Sequence, residues 1–381
     1  MSNEVRKYNN AFISLIDERP GKGSVAVKDI IDVQGTITTA GCKAIAESAS
    51  VAQKDADCLR TIRQHGYRIF GKTNLHELAF GTTGINTWTH TPVNPQGEEF
   101  IPGGSSSGNA VAIALDVCEF GIGTDTGGSV RIPSACCGIA GLKPTYGRIS
   151  TKGIRALAPT LDVVGPMAKD ISTVSKAFGL LDPSFEGHHA PLTSGCRLLF
   201  DAVDPYVEDE ITRALGLSEI AVRPCPLTQS DWEDAIAALN DILWAEAALS
   251  NVSIRCDWPK LQNASNLHRA ADIARDQERV SKAFAVQSVW KQKMNEIVNE
   301  FGIIVTPTLE TRTPTFTEVH ETRIRLARFT SPVNLSGLPA IVVPLPKLNV
   351  PASSLQIIGQ SHREDVLIAT ALRIEEALMC N

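Results

Sequence analysis

Two Gly-Gly-Ser units lie close together in the first half of this 381-residue chain: Gly103-Gly104-Ser105 and Gly127-Gly128-Ser129. A glycine pair lets the backbone adopt dihedral angles that are closed to other residues, and it lets a ligand approach closely. Amide N–H groups held in such a turn can point at an oxyanion that develops during acyl transfer. The two units therefore predict a site for serine-based chemistry.

The segment between the two units predicts the structure that would bring their serines together. Asn109 to Cys118 is rich in Ala, Val and Leu and predicts a helix, which Ser106 or Ser107 could cap. Phe120 to Thr124 predicts a short buried strand that ends at the second unit. A helix followed by a strand can return the chain to its starting point.

A serine hydroxyl is a poor nucleophile at neutral pH and needs a positioned base. A lysine can serve only in its neutral form, so burial or a neighbouring cation must lower its pKa from about 10.4. Lys28 follows Val25 and Val27 and precedes Ile30-Ile31, which indicates a buried position at a strand end. The alternative is a surface lysine at a strand edge. A second serine between the lysine and the nucleophile could relay the proton.

These motifs resemble those of a known hydrolase family. Gly-Gly-Ser-Ser followed by Gly-Thr-Asp-Thr-Gly-Gly-Ser-Val-Arg, with Val25-Ala26-Val27-Lys28-Asp29 upstream, is similar to the amidase signature family of Ser–cis-Ser–Lys hydrolases. The resemblance covers most of residues 20 to 180 and is weaker from about 300 to 378. It implies that Ser129 is the nucleophile, that Ser105 is the bridging serine with a cis peptide bond, and that Lys28 is the base.

The resemblance also implies a fold and an activity. The expected fold is α/β, with a large mixed, twisted β-sheet sandwiched between helices in a single domain spanning residues 1–381. Its signature core covers about 60–180, and a middle segment of about 185–300 matches no motif. The expected enzyme hydrolyses a carbon–nitrogen bond of a small linear amide or urea-like substrate through an acyl-enzyme on Ser129. No cofactor or metal is expected.

Residues around the two serines receive supporting roles from the same resemblance. Thr126, Gly127 and Gly128, with the amide of Ser129, are expected to supply oxyanion-hole N–H groups. Asp125 and Arg131 are expected to pair and hold this loop, and Ser106 to support the site beside the bridging serine. Asp125 and Arg131 could instead form a plain surface ion pair, or Arg131 could face a substrate carboxylate.

Composition excludes several other classes of protein. A net charge of −6 and an isoelectric point near 5.8 argue against a surface for nucleic acid or an anionic membrane. No apolar run approaches the roughly 20 residues that a membrane span needs, and the polar MSNEVRKYNN start does not resemble a signal peptide. Nine cysteines without a Cys-x-x-Cys pair predict reduced thiols in a cytoplasmic protein.

Three alternative functions remain open from the sequence. Gly104-Ser105-Ser106-Ser107-Gly108 matches the nucleophile elbow of α/β-hydrolases, with Ser106 as nucleophile, but Val93–Pro102 before it is not an apolar strand. Within the resembling family, the chain could be the glutaminase subunit of a tRNA-dependent amidotransferase, with a small partner subunit. A homodimer is also compatible with the sequence. The third alternative is a protein without catalytic activity. It could be a nucleotide-binding module, although neither unit matches Gly-x-x-x-x-Gly-Lys-Ser/Thr or Gly-x-Gly-x-x-Gly. It could also be a binding scaffold, although such a chain would be expected to lose Lys28, Ser105 or Ser129.

Later segments predict further regular elements. Ser230 and Glu233 have the spacing of a capping box that opens a helix. A second amphipathic helix is predicted over Val280 to Phe301. Apolar runs predict buried strands, and Glu364 to Leu378 predicts a closing helix. The strands are expected at Gly302–Pro307, Ala340–Pro344 and Leu355–Gly359.

Overall fold

A computed structural model describes residues 7–17, 19–187, 189–200, 203–322, 325–345, 351 and 353–380. Within these ranges, eleven strands form one mixed sheet that is flanked by helices. The α/β architecture and the large mixed sheet expected from the sequence are confirmed.

The strands are short and contribute four to eight residues each. They are β1 (Phe12–Leu15), β2 (Gly21–Lys28), β3 (Arg68–Thr73), β4 (Cys118–Asp125), β5 (Ala140–Lys143), β6 (Val163–Ala168), β7 (Ser194–Arg197), β8 (Ala221–Pro224), β9 (Ile304–Pro307), β10 (Ala340–Leu345) and β11 (Ser353–Ile358).

The helices lie between the strands along the chain. They are α1 (Lys43–Ser48), α2 (Arg60–Gln64), α3 (Ser107–Ala114), α4 (Arg131–Cys137), α5 (Ile171–Leu181), α6 (Pro205–Leu217), α7 (Gln229–Ser250), α8 (Ala264–Arg275), α9 (Gln277–Phe301), α10 (Val319–Thr322), α11 (Ser331–Ser336) and α12 (Glu364–Met379). Short 3₁₀ turns cover Asp57–Leu59, Glu77–Ala79, Val252–Lys260 and Arg325–Ala327.

The order across the sheet is β1-β3-β2-β4-β6-β5-β10-β11-β9-β7-β8. Strands β2, β3 and β4 pair in parallel, as do β7, β8 and β9 at the other end. The strands between these two groups pair antiparallel. Parallel neighbours end at the same edge of a sheet, so β2 and β4 deliver their carboxyl-terminal residues to one place.

Both faces of the sheet are buried. Along β2, Val25 and Val27 pack into one hydrophobic cluster, whereas Ala26 between them packs into another. Along β11, Leu355 and Ile357 join the first cluster, and Ile358 joins a third. Successive side chains of a strand point to opposite faces, so a central strand here is apolar on both sides and the few polar residues in it stand out.

The elements between the two Gly-Gly-Ser units differ slightly from the prediction. The helix is α3 and ends at Ala114, because Asp116 turns the chain in a left-handed conformation (φ 56°) before β4. Ser106 precedes the helix, but its hydroxyl donates to the carbonyl of Thr124 (3.4 Å) and does not cap it. Helix α3 packs against β4, so the second unit returns towards the first.

The predicted capping box of Ser230 and Glu233 is wrong. Helix α7 begins two residues earlier, with the N–H of Asp231 donating to Thr228 Oγ1 (3.2 Å) and the N–H of Thr228 donating to Asp231 Oδ2 (3.0 Å). Thr228 and Asp231 have the same three-residue spacing, and an aspartate carboxylate reaches back as a glutamate does. Helix α9 covers the predicted Val280–Phe301 and begins earlier, at Gln277.

The middle of the chain extends the sheet and covers one of its faces. Strands β7 and β8 continue the sheet beyond β9, and the long helices α7 and α9 pack on each other and on α11. Trp232 of α7 is fully buried, and its indole N–H donates to the carbonyl of Arg328 (2.8 Å). Among the described helices, none has the length and apolar character to cross a membrane.

Replacing Trp232 tests how far the middle segment stabilises the fold. We expect Trp232→Ala to lower the free energy of unfolding by about 3–5 kcal/mol, because it opens a cavity and removes the indole hydrogen bond. The measurement is urea unfolding followed by circular dichroism. Val289→Ala on α9 is the control, since Val289 is 69% exposed. Equal midpoints for the two variants would contradict the packing of α7 described above.

Candidate active site

Lys28 is the last residue of β2, and Thr124 and Asp125 are the last two of β4. These strands are parallel neighbours with Val27 opposite Ile122. Their ends therefore meet at one edge of the sheet, which is where α/β proteins place their sites. The Lys28 side chain enters this edge with no exposed surface.

The Lys28 amine has hydroxyl and carbonyl partners within hydrogen-bond distance. Nζ donates to Ser105 Oγ (2.7 Å) and to Thr124 Oγ1 (2.9 Å), and it lies 3.4 Å from the Thr124 carbonyl. Burial lowers the pKa of Lys28 to about 7, although the charges of Asp125 and Asp162 act in the opposite direction. A substantial fraction of this amine is therefore neutral near pH 7 and able to accept a proton.

The two Gly-Gly-Ser units are in direct contact. The N–H of Ser106 donates to the carbonyl of Ser129 (3.1 Å), and the Gly104–Ser105 peptide bond is cis. Lys28 and Ser105 are fully buried, whereas Ser129 is 7% exposed. Of the three residues assigned to the reaction, only Ser129 has surface that a substrate can touch.

Glycine is required at Gly104 and Gly128. A Cβ on Gly104 would lie 2.6 Å from the amide nitrogen of Gly84. Gly128 has a φ of +130°, and a Cβ there would lie 2.2 Å from Thr330 Oγ1. Any side chain at either position would collide with a neighbouring segment, so the glycines permit the close approach that forms the site.

The loop from Thr126 to Ser129 presents only part of its backbone to a substrate. The N–H of Gly128 donates to Asp125 Oδ1 (2.9 Å), so this amide is already engaged and does not match the expectation that it binds an oxyanion. The N–H groups of Thr126, Gly127 and Ser129 have no acceptor among the residues that the structure describes. The Gly127 carbonyl accepts from Thr330 Oγ1 (2.7 Å), which fixes the peptide plane.

Asp125 and Arg131 form a fully buried bidentate ion pair, with Nη2–Oδ1 at 2.8 Å and Nε–Oδ2 at 3.0 Å. Arg131 also donates from Nη1 to Gln356 Oε1 (2.7 Å) and from Nη2 to Asn334. Burial alone would raise the pKa of Asp125, but the Arg131 charge holds that pKa well below its usual range. The pair is neither on the surface nor able to face a substrate.

Several residues of this network are not among those that the sequence predicts. Thr124 lies within the Gly-Thr-Asp-Thr stretch, which could have drawn attention to it. Asn334 and Gln356 are polar residues within apolar segments and could have been noticed for that reason. Asp162 lies far along the chain and contacts the site through Thr126, whose hydroxyl donates to Asp162 Oδ1 (2.6 Å). No local pattern marks it.

Ser106 does not have the surroundings of a nucleophile. Its side chain is fully buried, and its hydroxyl donates towards the Thr124 carbonyl. Within the described part of the chain, no histidine side chain is hydrogen-bonded to it. The same ranges contain no cluster of three or more His, Cys, Asp or Glu side chains that could hold a metal ion.

Removing one charge of the buried ion pair tests its structural importance. We expect Asp125→Asn to lower the free energy of unfolding by about 3–5 kcal/mol, because the Arg131 charge stays buried without a counter-ion. Urea unfolding measures the change. Asp272→Asn is the matched control, since Asp272 pairs with Arg275 on the surface with side chains 73% and 63% exposed. If the urea midpoint of Asp125→Asn were as high as that of Asp272→Asn, the buried ion pair would not have the structural importance described above.

Comparison with known proteins identifies the family of this chain. Residues 24–186 match the family described as Amidase. The chain is similar to the A-type subunit of glutamyl-tRNA(Gln) amidotransferase from Methanospirillum hungatei, with 29% identity in an alignment of 420 positions, gaps included, that covers 96% of each chain. The protein of the same name from Clostridium botulinum is 30% identical in an alignment of 406 positions that covers 93% of this chain and 83% of the relative.

A solved structure described as an amidase superposes with a TM-score of 0.88 at 24% identity, covering 98% of this chain and 93% of the other. At 24% identity, this structural similarity is evidence for the fold and not for the activity. The identity to the curated relatives extends over nearly the whole chain, and it is accompanied by the buried lysine, the cis peptide and the glycine loop. The chain belongs to the amidase signature family and is an enzyme that hydrolyses carbon–nitrogen amide bonds.

Proposed function

We propose that the chain hydrolyses a small amide through an acyl-enzyme on Ser129, with Lys28 as base and Ser105 as proton relay. The observation that carries the proposal is the 2.7 Å hydrogen bond between Lys28 Nζ and Ser105 Oγ, two fully buried residues. A buried lysine with a pKa of about 7 that is hydrogen-bonded to a serine hydroxyl is a base that can take up a proton through that hydroxyl.

In the first half of the reaction, Ser129 Oγ attacks the amide carbonyl and forms a carbon–oxygen bond. Its proton passes to Ser105, whose own proton passes to Lys28. The oxyanion of the tetrahedral intermediate accepts hydrogen bonds from the N–H groups of Gly127 and Ser129. Lys28 then returns its proton through Ser105 to the nitrogen, the carbon–nitrogen bond breaks, and ammonia or an amine leaves.

In the second half, water attacks the acyl-enzyme carbonyl and gives a proton through Ser105 to Lys28. The second tetrahedral intermediate collapses, and the carbon–oxygen bond to Ser129 breaks. The lysine proton returns to Ser129 Oγ, and the product is a carboxylic acid that ionises in water. Thr124 Oγ1, at 2.9 Å, keeps the amine of Lys28 in place through both halves.

A second function is favoured by the curated relatives, which are named as the A-type subunit of glutamyl-tRNA(Gln) amidotransferase. In that case the amide would be glutamine, and the ammonia would pass to a partner protein. The two functions share the chemistry at Ser129 and differ in the substrate and in the fate of ammonia. Ammonia release from glutamine by the isolated chain, compared with release from other small amides, separates them.

Replacing Ser129 tests the nucleophile. We expect Ser129→Ala to reduce ammonia release from a panel of small primary amides, including glutamine, by about 10⁴-fold or more, because no other hydroxyl replaces it. Ser134→Ala is the control, since Ser134 is also buried and its hydroxyl donates to backbone carbonyls. Labelling by a fluorophosphonate is measured in parallel. Labelling that survives in Ser129→Ala and disappears in Ser106→Ala would overturn the assignment.

The pH profile tests the base. Lys28 acts only when neutral, so kcat/KM is expected to fall about tenfold per unit below pH 7 and to level off above it. Burial also raises the pKa of Asp162, to about 6, so its titration must be distinguished. The Asp162 charge raises the pKa of Lys28, so Asp162→Asn should move the falling limb to lower pH.

If the fall of kcat/KM below pH 7 disappears in Asp162→Asn, the titrating group is Asp162 and not Lys28. Asp272→Asn, which removes an exposed carboxylate, is the control and should leave the profile unchanged.

A further inference from the structure

A loop of residues 76–87, which follows β3, packs against the Gly-Gly-Ser unit that carries the bridging serine. The N–H of His76 donates to the carbonyl of Ser105 (3.1 Å). A Cβ on Gly84 would lie 2.3 Å from the carbonyl oxygen of Gly103, so the two backbones are in direct contact. The position of Ser105 therefore depends on the position of this loop.

The 76–87 loop contains two residues in a backbone conformation that is unfavourable for them. Leu78 and Ala79 have φ angles of 58° and 57°, in the left-handed region, where a side chain crowds its own backbone. Such a conformation persists only where the surrounding structure holds it. The loop therefore needs partners outside itself.

Part of this support comes from the segment that follows β2. The N–H of Leu78 donates to the carbonyl of Ala40 (2.8 Å), and Asn86 Nδ2 donates to the carbonyl of Gly41 (2.9 Å). These contacts lie within the first half of the chain, which also carries the two Gly-Gly-Ser units. The remaining contacts described below come from a different part of the chain.

Gln262, which lies just before α8 in the middle segment, holds the end of the loop. Its Nε2 donates to the carbonyl of Ile85 (2.9 Å), and its Oε1 accepts from the N–H of Thr87 (2.9 Å). The side-chain amide thus pairs with the loop backbone as a neighbouring peptide group would. Gln262 is itself exposed, so these two hydrogen bonds can be removed without opening a cavity.

Asn263, the next residue, holds the start of the loop. Its Nδ2 donates to the carbonyl of Glu77 (2.8 Å), and its N–H donates to Glu77 Oε2 (3.0 Å). Asn263 and Glu77 are both buried. Phe80 of the same loop packs edge-on against Trp244 of α7, with ring centroids 5.3 Å apart. The middle segment, which matches no motif, therefore contacts the loop at both ends and in between.

We infer that Gln262 and Asn263 are positioning residues for the proton relay: they hold the 76–87 loop, and the loop holds Ser105 within hydrogen-bond distance of Lys28. This inference rests on the proposed function, since the orientation of Ser105 affects the rate only if its hydroxyl relays a proton. Proton transfer requires hydrogen-bond distances, and a displacement of about 1 Å can lower a rate about 100-fold. A small movement of the loop is therefore enough to slow the reaction.

The test removes the Gln262 hydrogen bonds and measures how fast Ser129 reacts with an alkyl fluorophosphonate. Saturation of the labelling rate gives a maximal rate constant and a half-saturating concentration, whatever the natural amide is. Gln262→Met keeps the length of the side chain and loses both hydrogen bonds, whereas Gln262→Glu keeps an acceptor for the Thr87 N–H. Gln292→Met is the matched control, because Gln292 is an exposed glutamine of α9 whose Nε2 donates to Glu296 (2.8 Å).

Gln262→Met should lower the maximal rate constant about tenfold and leave the half-saturating concentration unchanged, because the loop acts on the relay and not on binding of the probe. Gln262→Glu should recover part of the loss, and Gln292→Met should react as the parent does. Asn263→Ala should lower the same constant by about 100-fold, together with the urea midpoint, since Asn263 is buried. Amide hydrogen exchange over residues 76–87, read by mass spectrometry, should be faster in Gln262→Met than in the parent.

A Gln262→Met protein that is labelled at the parent rate, or in which only the half-saturating concentration changes, would overturn the inference. Loop exchange at the parent rate would also overturn it, because Gln262 would then not hold the loop. Failure of the proposed function has a different signature. In that case the parent is not labelled, or labelling persists in Ser129→Ala, and the relay that the two residues are inferred to serve is excluded whatever the exchange rates.

Discussion

The burial of one amine is the constraint on which the active site depends. Lys28 has no exposed surface, and among the described residues its amine is hydrogen-bonded only by the hydroxyls of Ser105 and Thr124 and the Thr124 carbonyl. Water would solvate the ammonium form far better, so burial favours the neutral amine. In the proposed mechanism the apolar residues on both faces of β2 therefore contribute to the chemistry, because they keep water away from the amine.

The buried carboxylate of Asp125, unlike the buried amine of Lys28, is kept in its charged form. Asp125 is kept ionised by Arg131, and its oxygens also accept from the N–H groups of Gly128 and Val130 (2.9 and 3.1 Å). Through Arg131 the carboxylate reaches Gln356 of β11, and Asn334 of α11 donates to it directly (2.8 Å). One ion pair thus joins the loop before Ser129 to two distant parts of the chain and fixes the direction of its amides.

Much of this arrangement could be predicted from local sequence. The apolar residues around Lys28 indicate a buried strand end, and the glycine pairs indicate close backbone contacts, because both properties depend on a few consecutive residues. Asp162 could not be found in this way. It reaches the site through the pairing of β6 with β4, and it stands in no motif. The predicted capping box is wrong because Thr228 and Asp231 have the same three-residue spacing as Ser230 and Glu233.

Arg155, in the segment before β6, donates from its guanidinium to Asn251 at the end of α7 (3.2 Å) and from its backbone N–H to the carbonyl of Ile30 (2.8 Å). Ile30 lies two residues beyond Lys28, the last residue of β2. The end of α7 belongs to the middle segment that matches no motif, so two hydrogen bonds join that segment to the strand end that carries Lys28. A substitution at the end of α7 can therefore shift the position of Lys28 without changing any residue of the two Gly-Gly-Ser units.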